Sequence, residues 1–282
     1  MSLFNFFIKV FRVLYSIIKR ELTPYGYLRG YILFPIAGFY RTYVSRSYNN
    51  NKIRLLKDKH SGNRCFIVAT GPSLLGEDVD KLKNEFTIGV NSIFRLYEKM
   101  NWRPNYYVIL DANLCNKYNA NGFINPDDFA KDMCFFNSIC KKTFTSEKVV
   151  YLHTNWLNHV YNYGNLEFKY TPDMVFGLYD FYSVTHACIQ IAMYMGFKEI
   201  YLIGVDNNYT GGKTHFVETK GDDVFDYNWA LTTQKSMDAG YEAIRNIANK
   251  QGVKIFNATR GGNVKAFERV NLDEVINDSR TN

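Results

Sequence analysis

The 282-residue sequence has little of what marks a disordered, fibrous or disulfide-bonded chain. It contains only 6 prolines, and 46% of its residues are hydrophobic, which is enough apolar surface to bury a full core. Its five cysteines are an odd number and include no C-x-x-C pair, so neither a disulfide framework nor a zinc ribbon is expected. These absences predict a globular protein of a reducing compartment.

Long uninterrupted apolar runs are also missing. At the N-terminus, four cations interrupt an aromatic and aliphatic run before it reaches the roughly 20 residues that span a bilayer, namely Lys9, Arg12, Lys19 and Arg20. These cations lie inside and after the run, and no small-residue cleavage site follows, which argues against a secretory signal. The sequence therefore predicts neither a transmembrane helix nor a signal peptide here.

The net charge of +7 is concentrated at the N-terminal end. Residues 1–60 carry eleven Lys and Arg against Glu21 and Asp58, a balance of +9, and the rest of the chain sums to −2. Large apolar residues recur there at helical spacing, at Phe4, Phe7, Phe11, Leu14 and Ile18. Basic and aromatic residues in this pattern are typical of a helix in the headgroup region of an anionic membrane.

We therefore divide the chain into a helical extension, residues 1–60, and a globular domain, residues 61–282. Residues 1–45 are expected to bind an anionic membrane surface, which makes the protein cytoplasmic and peripheral on the inner face of the cell membrane. The alternative is a helical hairpin packed on the body or on a second subunit of a homo-oligomer. A nucleic-acid partner is not expected, because no nucleic-acid-binding motif accompanies the charge.

From residue 61 onwards, short apolar runs alternate with amphipathic stretches, which is typical of an α/β fold with a mostly parallel sheet. Strands are predicted at Cys65–Ala69, Phe86–Val90, Tyr106–Leu110, Met133–Phe136, Val149–His153, Ile200–Val205 and Lys254–Phe256. Helices are predicted near Asp78–Asn84, Ser92–Met100, Ser183–Gly196 and Trp229–Gln251. The run Asn49–Asn51 is expected to be a linker.

In such a sheet the ligand site lies beyond the carboxyl ends of the strands, so the residues after each strand are candidates. The turn after the first strand suits a phosphate, because it exposes amides beside a helix end, and comprises Thr70, Gly71, Pro72 and Ser73. Asn91 follows the second strand and either contacts a nucleotide or caps the next helix. Asp111 and Asp206 follow two further strands, as ligands for a sugar or Mg²⁺, or as caps.

Several familiar motifs are absent. The first turn is not G-x-G-x-x-G, and Gly211–Thr214 resembles the end of a P-loop but has Asn207 where the first glycine is needed. No H-x-x-x-H pair occurs, so a dedicated metal site is not predicted. His215 lies in a polar, glycine-rich loop that can close over a ligand. His186 lies on an apolar helix as an expected core residue, and His60 belongs to the basic linker.

Taken in order, a few stretches resemble the bacterial lipooligosaccharide sialyltransferases: Ile67–Leu74, Gly89–Asn91, and Ser183–Thr185 leading to Met195–Asp206. They equally resemble the related group named after archaeal hydroxymethylpterin pyrophosphokinase, which includes motility-associated factors that glycosylate flagellin. The resemblance covers roughly residues 62–260 and implies a single Rossmann-like domain. It also implies that the cytidine monophosphate of a CMP-sugar is surrounded by Thr70, Gly71, Ser73, Asn91 and Ser183.

The function implied by this resemblance is inverting, metal-independent glycosyl transfer without a cofactor. A sialic acid-like or related sugar acid would move from a CMP-activated donor to a hydroxyl of a cell-surface glycan or glycolipid. Such chemistry needs a base for the acceptor proton and stabilisation of the departing phosphate. His215 is the candidate base, and Tyr182 and Tyr209 are the candidates for the phosphate.

Two alternatives remain open. The first is phosphoryl or pyrophosphoryl transfer from ATP, with Asp111 and Asp206 holding Mg²⁺. The second is a non-catalytic scaffold for polysaccharide assembly. Two departures from the sialyltransferase pattern bear on the scaffold hypothesis: Thr70 stands where Asn is usual, and Val184–Thr185 stands where a Ser-Gly pair is usual.

Overall fold

Eight parallel strands form the centre of the protein in a computed structural model that describes residues 28–140, 143–144, 146–161, 168–208 and 227–278. The strands are β1 (Arg64–Val68), β2 (Phe86–Val90), β3 (Tyr106–Ile109), β4 (Met133–Asn137), β5 (Val149–Leu152), β8 (Glu199–Ile203), β9 (Lys254–Asn257) and β10 (Glu268–Arg269). A separate two-stranded sheet pairs β6 (Thr154–Asn155) with β7 (Leu178–Tyr179). The order in the main sheet is β10-β9-β8-β1-β2-β3-β4-β5.

Helices lie between most of these strands. An N-terminal helical region has π-helical turns, Leu28–Leu33 and Tyr40–Val44, on either side of α1 (Phe34–Phe39). The other helices are α2 (Tyr48–Leu55), α3 (Gly76–Asp80), α4 (Ala112–Ala120), α5 (Pro126–Phe129), α6 (Asn158–Tyr161), α7 (Val184–Tyr194), α8 (Tyr227–Lys250) and α9 (Leu272–Asp278). Short 3₁₀ turns cover Asn91–Leu96 and Ser138–Cys140.

Both faces of the main sheet are buried. Along β1, Cys65 and Ile67 pack into one apolar layer, and Phe66 and Val68 pack into the other. Parallel sheets need this double cover, and it explains why their strands are continuous apolar runs. The predicted α/β fold with a parallel sheet and an N-terminal helical region is confirmed, with each predicted strand found to within one or two residues.

Helix α7 is buried almost all round, as its apolar sequence predicts, and it carries His186 into the core. The imidazole lies beside the rings of Phe181 and Tyr241. Removal from water disfavours the charged form of a base, and burial lowers the pKa of His186 to about 3. His186 is therefore a neutral core residue at physiological pH.

This burial predicts an acid-sensitive fold. The unfolded chain takes up a proton on His186 near pH 6.5, whereas the native state does so only near pH 3, so stability falls as the pH drops through this window. The expected slope is about 1.4 kcal/mol per pH unit. Urea unfolding at several pH values should give a shallower slope for His186→Gln than for the wild type. Equal slopes would show that His186 is protonated in the native core.

The N-terminal helical region packs against the body along one side. Gly30 and Gly38 face Leu157 and Phe176 so closely that a Cβ would lie 2.8 and 2.6 Å from those side chains. The Arg41 Nε donates to the Val175 carbonyl at 3.3 Å. The side of residues 28–44 that faces the body is therefore packed against it, as in the alternative in which the extension packs on the body. Residues 1–27 of the predicted extension lie outside the described residues.

The expectation of a linker at Asn49–Asn51 is wrong, because these residues lie within α2. The Asn49 carboxamide accepts from the Tyr151 amide at 2.7 Å and donates to the Tyr151 carbonyl at 2.9 Å. These bonds replace those of a missing neighbouring strand at the edge of the sheet. Asn49 thus caps edge strand β5, a long-range role with no signature in the local sequence.

His60 is not part of an open basic linker either. It is buried, with its ring stacked on Phe197 at 4.7 Å and its Nε2 2.7 Å from the Tyr106 hydroxyl. Its backbone N–H donates to the Met195 carbonyl at 2.8 Å, at the end of α7. Burial lowers the pKa of His60, which marks it as a packing residue.

Candidate functional site

A cavity of about 950 Å³ opens beyond the carboxyl ends of the strands, where parallel sheets bind ligands. Its walls include the loops that follow β1, β2, β3 and β8 and the segment around β6 and β7. The chain order reverses between β1 and β8, which are neighbours in the sheet. The cavity therefore occupies the topological switch point, and its size suits a nucleotide-sized ligand.

The loop after β1 is tied to the loop after β8. The Gly71 amide donates to the Gly204 carbonyl at 2.9 Å, and the Ser73 amide and hydroxyl donate to Asp206 Oδ2 at 3.2 and 2.9 Å. A Cβ on Gly71 would overlap Asp206 Oδ2 and lie 2.5 Å from the Gly204 carbonyl oxygen. Position 71 therefore requires glycine, because the two loops approach each other too closely for a side chain.

This geometry corrects the expectation that the amides of the first loop cradle a phosphate. The amides of Gly71 and Ser73 are already bonded to protein oxygens, and Pro72 has no N–H. Thr70 and Gly71 line the cavity, whereas Pro72 and Ser73 do not. The loop shapes the cavity and fixes Asp206.

Helix α7 is the better place for an anion. Ser183 caps it, with its hydroxyl accepting from the Thr185 amide at 3.3 Å, and Ser183, Val184 and Thr185 all line the cavity. The positive end of an eleven-residue helix thus faces the ligand space, an arrangement that favours phosphate. Burial raises the pKa of the neighbouring Tyr241 phenol to about 12, so it stays neutral beside this anion site.

Asp111 has the role of a helix cap, which was one of the alternatives predicted for it. Its carboxylate caps α4 by accepting from the amides of Asn113 and Leu114 at 2.8 and 3.1 Å, and it also lines the cavity. Lys117, four residues after Asn113 on α4, also lines the cavity and was not predicted as a site residue. Residues 113, 114 and 117 share one face of α4, because three or four residues make one turn.

Backbone strain is concentrated on the cavity. Non-glycine residues with left-handed backbone angles include Asn91, Tyr182 and Asn207, with φ of 45°, 76° and 47°. All three line the cavity. Such conformations cost energy and cluster at functional sites.

Two of these residues present unused acceptors. Asn91 Oδ1 and Asn207 Oδ1 are buried without a hydrogen-bond partner among the described residues. The Asn207 Nδ2 donates to Asp238 Oδ1 at 2.7 Å, and the Asn207 backbone carbonyl accepts from the Gln234 side chain at 2.9 Å. The Asp238 contact orients the Asn207 carboxamide and leaves its Oδ1 buried without a partner among the described residues, which costs free energy.

The cavity wall also contains a histidine–carboxylate pair that the sequence did not indicate. His159 Nε2 lies 2.5 Å from Asp180 Oδ2, and the His159 ring stacks on Tyr182 at 3.9 Å. The Tyr182 hydroxyl donates to the His159 carbonyl at 2.6 Å. These residues lie on α6 and after β7, so only the tertiary fold brings them together.

Two of the predicted site residues fall outside the part of the chain that the structure describes. Tyr209 and His215 lie outside the described residues, as does the glycine-rich stretch Gly211–Thr214. Thr70, Gly71, Asn91, Asp111, Tyr182, Ser183 and Asp206 are brought together on one cavity. Within the part of the chain that the structure describes, there is no group of three or more His, Cys, Asp or Glu side chains placed to hold a metal ion.

Comparison of the chain with models of known protein families identifies its family. The family described as 6-hydroxymethylpterin diphosphokinase MptE-like matches residues 41–212. This match covers more than half of the chain, so the protein belongs to the MptE-like family, which confirms the resemblance seen in the sequence.

A search of curated proteins found no match. Among solved structures, the chain is similar to the MAf glycosyltransferase from Magnetospirillum magneticum AMB-1, with 18% identity and a TM-score of 0.47. The similarity covers 79% of this chain and 38% of that protein. The chain thus spans well under half the length of that relative.

Proposed function

We propose that the protein is a glycosyltransferase that uses a CMP-activated donor. It moves a sialic acid-like or related sugar acid to a hydroxyl of a cell-surface glycan or glycolipid, by an inverting reaction that needs no metal or other cofactor. The observation that carries this proposal is that residues from separate family motifs line one cavity at the switch point of the sheet, namely Thr70, Gly71, Asn91 and Ser183.

Each part of the donor has a matching group in this proposal. The phosphate binds at the N-terminus of α7, at Ser183, and Asn91 and Asn207, which line the cavity, lie beside the nucleoside. The carboxylates of Asp111 and Asp206 suit hydroxyls. All of these residues line the cavity.

In the transfer step, the acceptor oxygen bonds to the anomeric carbon as the bond from that carbon to the CMP phosphate breaks. The acceptor proton passes to His215, the proposed general base. CMP departs with its phosphate charge stabilised by the α7 terminus and by the phenol of Tyr209. Tyr182, the other tyrosine predicted for the phosphate, donates its phenol proton to the His159 carbonyl at 2.6 Å, so it shapes the cavity wall and does not donate to the phosphate.

A second candidate is phosphoryl or pyrophosphoryl transfer from ATP. The family description, which names a diphosphokinase, and the two carboxylates of Asp111 and Asp206 on the same cavity favour it. Against it, Asp206 Oδ2 is already bonded to the Ser73 amide and hydroxyl. A non-catalytic scaffold for polysaccharide assembly is the third candidate.

Calorimetric titration with CMP, CTP and ATP, each with and without Mg²⁺, separates these candidates. For a CMP-sugar transferase we expect CMP to bind with an affinity that Mg²⁺ leaves unchanged. ATP binding that requires Mg²⁺ would identify the phosphoryl-transfer candidate instead. Absence of binding by all three nucleotides would favour the scaffold.

We propose that the protein acts in the cytoplasm, on the inner face of the cell membrane, which it binds through the N-terminal region. The outer face of residues 28–44 is apolar and exposed, at Leu28, Ile32, Ile36, Phe39, Tyr40 and Tyr43. Cations in and beside it include Arg29 and Arg46, which suit anionic headgroups. Among the described helices, none is long and apolar enough to cross a membrane.

If this exposed face binds the membrane, replacing its two neighbouring aromatic residues with polar ones should reduce vesicle binding. Phe39 and Tyr43 contact each other with ring centroids 4.7 Å apart. Replacing both with serine should weaken binding to phosphatidylglycerol vesicles by about tenfold or more, because each buried ring contributes about 1.5–3 kcal/mol. Leu55→Ser, at an exposed position on α2, is the control and should bind as the wild type does in sedimentation assays.

The same variants distinguish a membrane from a second subunit. If Phe39 and Tyr43 cover an interface between copies, the serine variant would turn a dimer into a monomer in light scattering while vesicle binding stays unchanged. That outcome would contradict the membrane assignment. A monomeric wild type that binds vesicles would support it.

A further inference from the structure

Three nearly parallel aromatic rings form a column on the cavity wall. The Trp156 indole lies 5.7 Å from the His159 ring at an interplanar angle of 15°, and His159 lies 3.9 Å from the Tyr182 ring at 18°. His159 and Tyr182 are largely covered, whereas Trp156 is 60% exposed and lines the cavity. The column therefore ends in an open indole face on the ligand space.

A carboxylate stands beside this column. Asp180 Oδ2 is bonded to His159 Nε2 at 2.5 Å, and the Asp180 amide donates to the Asn155 carbonyl at 2.8 Å. Asp180 Oδ1 has no hydrogen-bond partner among the described residues, and the side chain is 26% exposed. A fixed carboxylate oxygen at an open aromatic face accepts hydroxyl groups and repels phosphate.

The column lies beside the end of the cavity proposed for the donor phosphate. Trp156 follows β6, and Asp180 and Tyr182 follow β7. Asp180 is three residues before Ser183, the cap of α7 proposed to hold the donor phosphate. A ligand on Trp156 and Asp180 would therefore lie next to the phosphate and the anomeric carbon, where an acceptor must be.

We propose that Trp156, His159, Asp180 and Tyr182 form the acceptor subsite, and that it binds a hexopyranose ring of a glycan. This inference rests on the glycosyltransferase function proposed above. One face of a pyranose presents C–H groups that pack on the indole and leave water. Its edge presents hydroxyls that donate to Asp180, and His159 is a positioning residue that holds both the indole and the carboxylate.

Saturation-transfer NMR with methyl hexopyranosides tests the subsite on the full chain. The probes are the methyl glycosides of galactose, glucose and N-acetylglucosamine, each added to protein with and without CMP. We expect Trp156→Ala to weaken pyranoside binding by tenfold or more, and Trp156→Phe, which keeps an aromatic face, to stay within about threefold. Asp180→Asn, which loses the charged acceptor, should also weaken it.

Two controls separate this subsite from general effects. Tyr48→Ala removes an exposed ring outside the cavity and should bind pyranosides as the wild type does. CMP affinity, measured by calorimetry, should change by less than twofold in Trp156→Ala. Because Trp156 is exposed, its replacement should leave the unfolding temperature unchanged.

Unchanged pyranoside binding in Trp156→Ala, or no binding of any of the three glycosides to the wild type, would overturn the subsite. Loss of CMP affinity in Trp156→Ala would also overturn it, because the indole would then stack on the nucleobase. Failure of CMP to bind the wild type would count against the proposed donor. Pyranoside binding that still depends on Trp156 would in that case support the subsite alone.

Discussion

We expect Gly71→Ala to reduce CMP affinity by roughly 100-fold or more, the equivalent of about 2.7 kcal/mol. The new Cβ would overlap Asp206 Oδ2 and lie 2.5 Å from the Gly204 carbonyl oxygen. The side chain of Asp206 can move, but the backbone of Gly204 cannot without shifting β8. Calorimetric titration with CMP measures the loss, and overpacking should lower the free energy of unfolding by about 1–3 kcal/mol.

The matched control is Gly76→Ala. Gly76 lies at the start of α3, close to Gly71 in the chain, and a Cβ there meets nothing within 4 Å. This variant should retain wild-type affinity and stability. A folded Gly71→Ala protein with wild-type CMP affinity would show that the contact between the loops after β1 and β8 does not shape the nucleotide site.

Asp206 is held from two sides, which explains why a small change at Gly71 should have a large effect. Ser73 bonds its carboxylate, and the Asn263 amide donates to its carbonyl at 2.7 Å. Gly262, with φ of 80°, approaches so closely that a Cβ would lie 2.5 Å from the same carbonyl oxygen. The loops after β1, β8 and β9 thus meet at one residue, and a shift of any of them moves the cavity wall.

The strands could be predicted because each is a short apolar run whose two faces are both buried, so composition alone marks it. Candidate positions such as Asn91 and Asp206 could also be predicted, because the carboxyl ends of parallel strands lie at one edge of the sheet and these residues follow strands. The local sequence pattern does not show which distant residue a side chain will hydrogen-bond to. Asn49 looks like part of a linker because its role depends on Tyr151, on the far edge strand.

The pair of His159 and Asp180 escaped prediction for a related reason. The residues are separated in sequence, lie on different elements, and match no motif spacing. The occupied amides of Gly71 and Ser73 were also invisible, because the acceptors belong to the loop after β8. The chemistry of a residue type can be predicted from sequence, but which of its hydrogen bonds are already used depends on contacts made only in the folded chain.

The second large effect is expected at His215. If it is the general base, His215→Ala should lower turnover by roughly 10²–10⁴-fold, because proton removal from the acceptor hydroxyl contributes that much to such reactions. CMP binding should change little, since the base acts on the acceptor and not on the nucleotide. In the wild type, the rate should fall on the acidic side of about pH 6.5, the reference value for an imidazole.

His159→Gln is the informative comparison for His215→Ala. Loss of the His159 ring should raise the acceptor KM by releasing Trp156 and Asp180, with a smaller effect on kcat, whereas loss of a base lowers kcat. Single-turnover kinetics with a verified acceptor would separate the two effects. Near-normal turnover in His215→Ala would contradict its assignment as base. The proton would then pass to the donor phosphate or to a carboxylate on the cavity, and Asp111 and Asp206, which line it, would be the residues to replace.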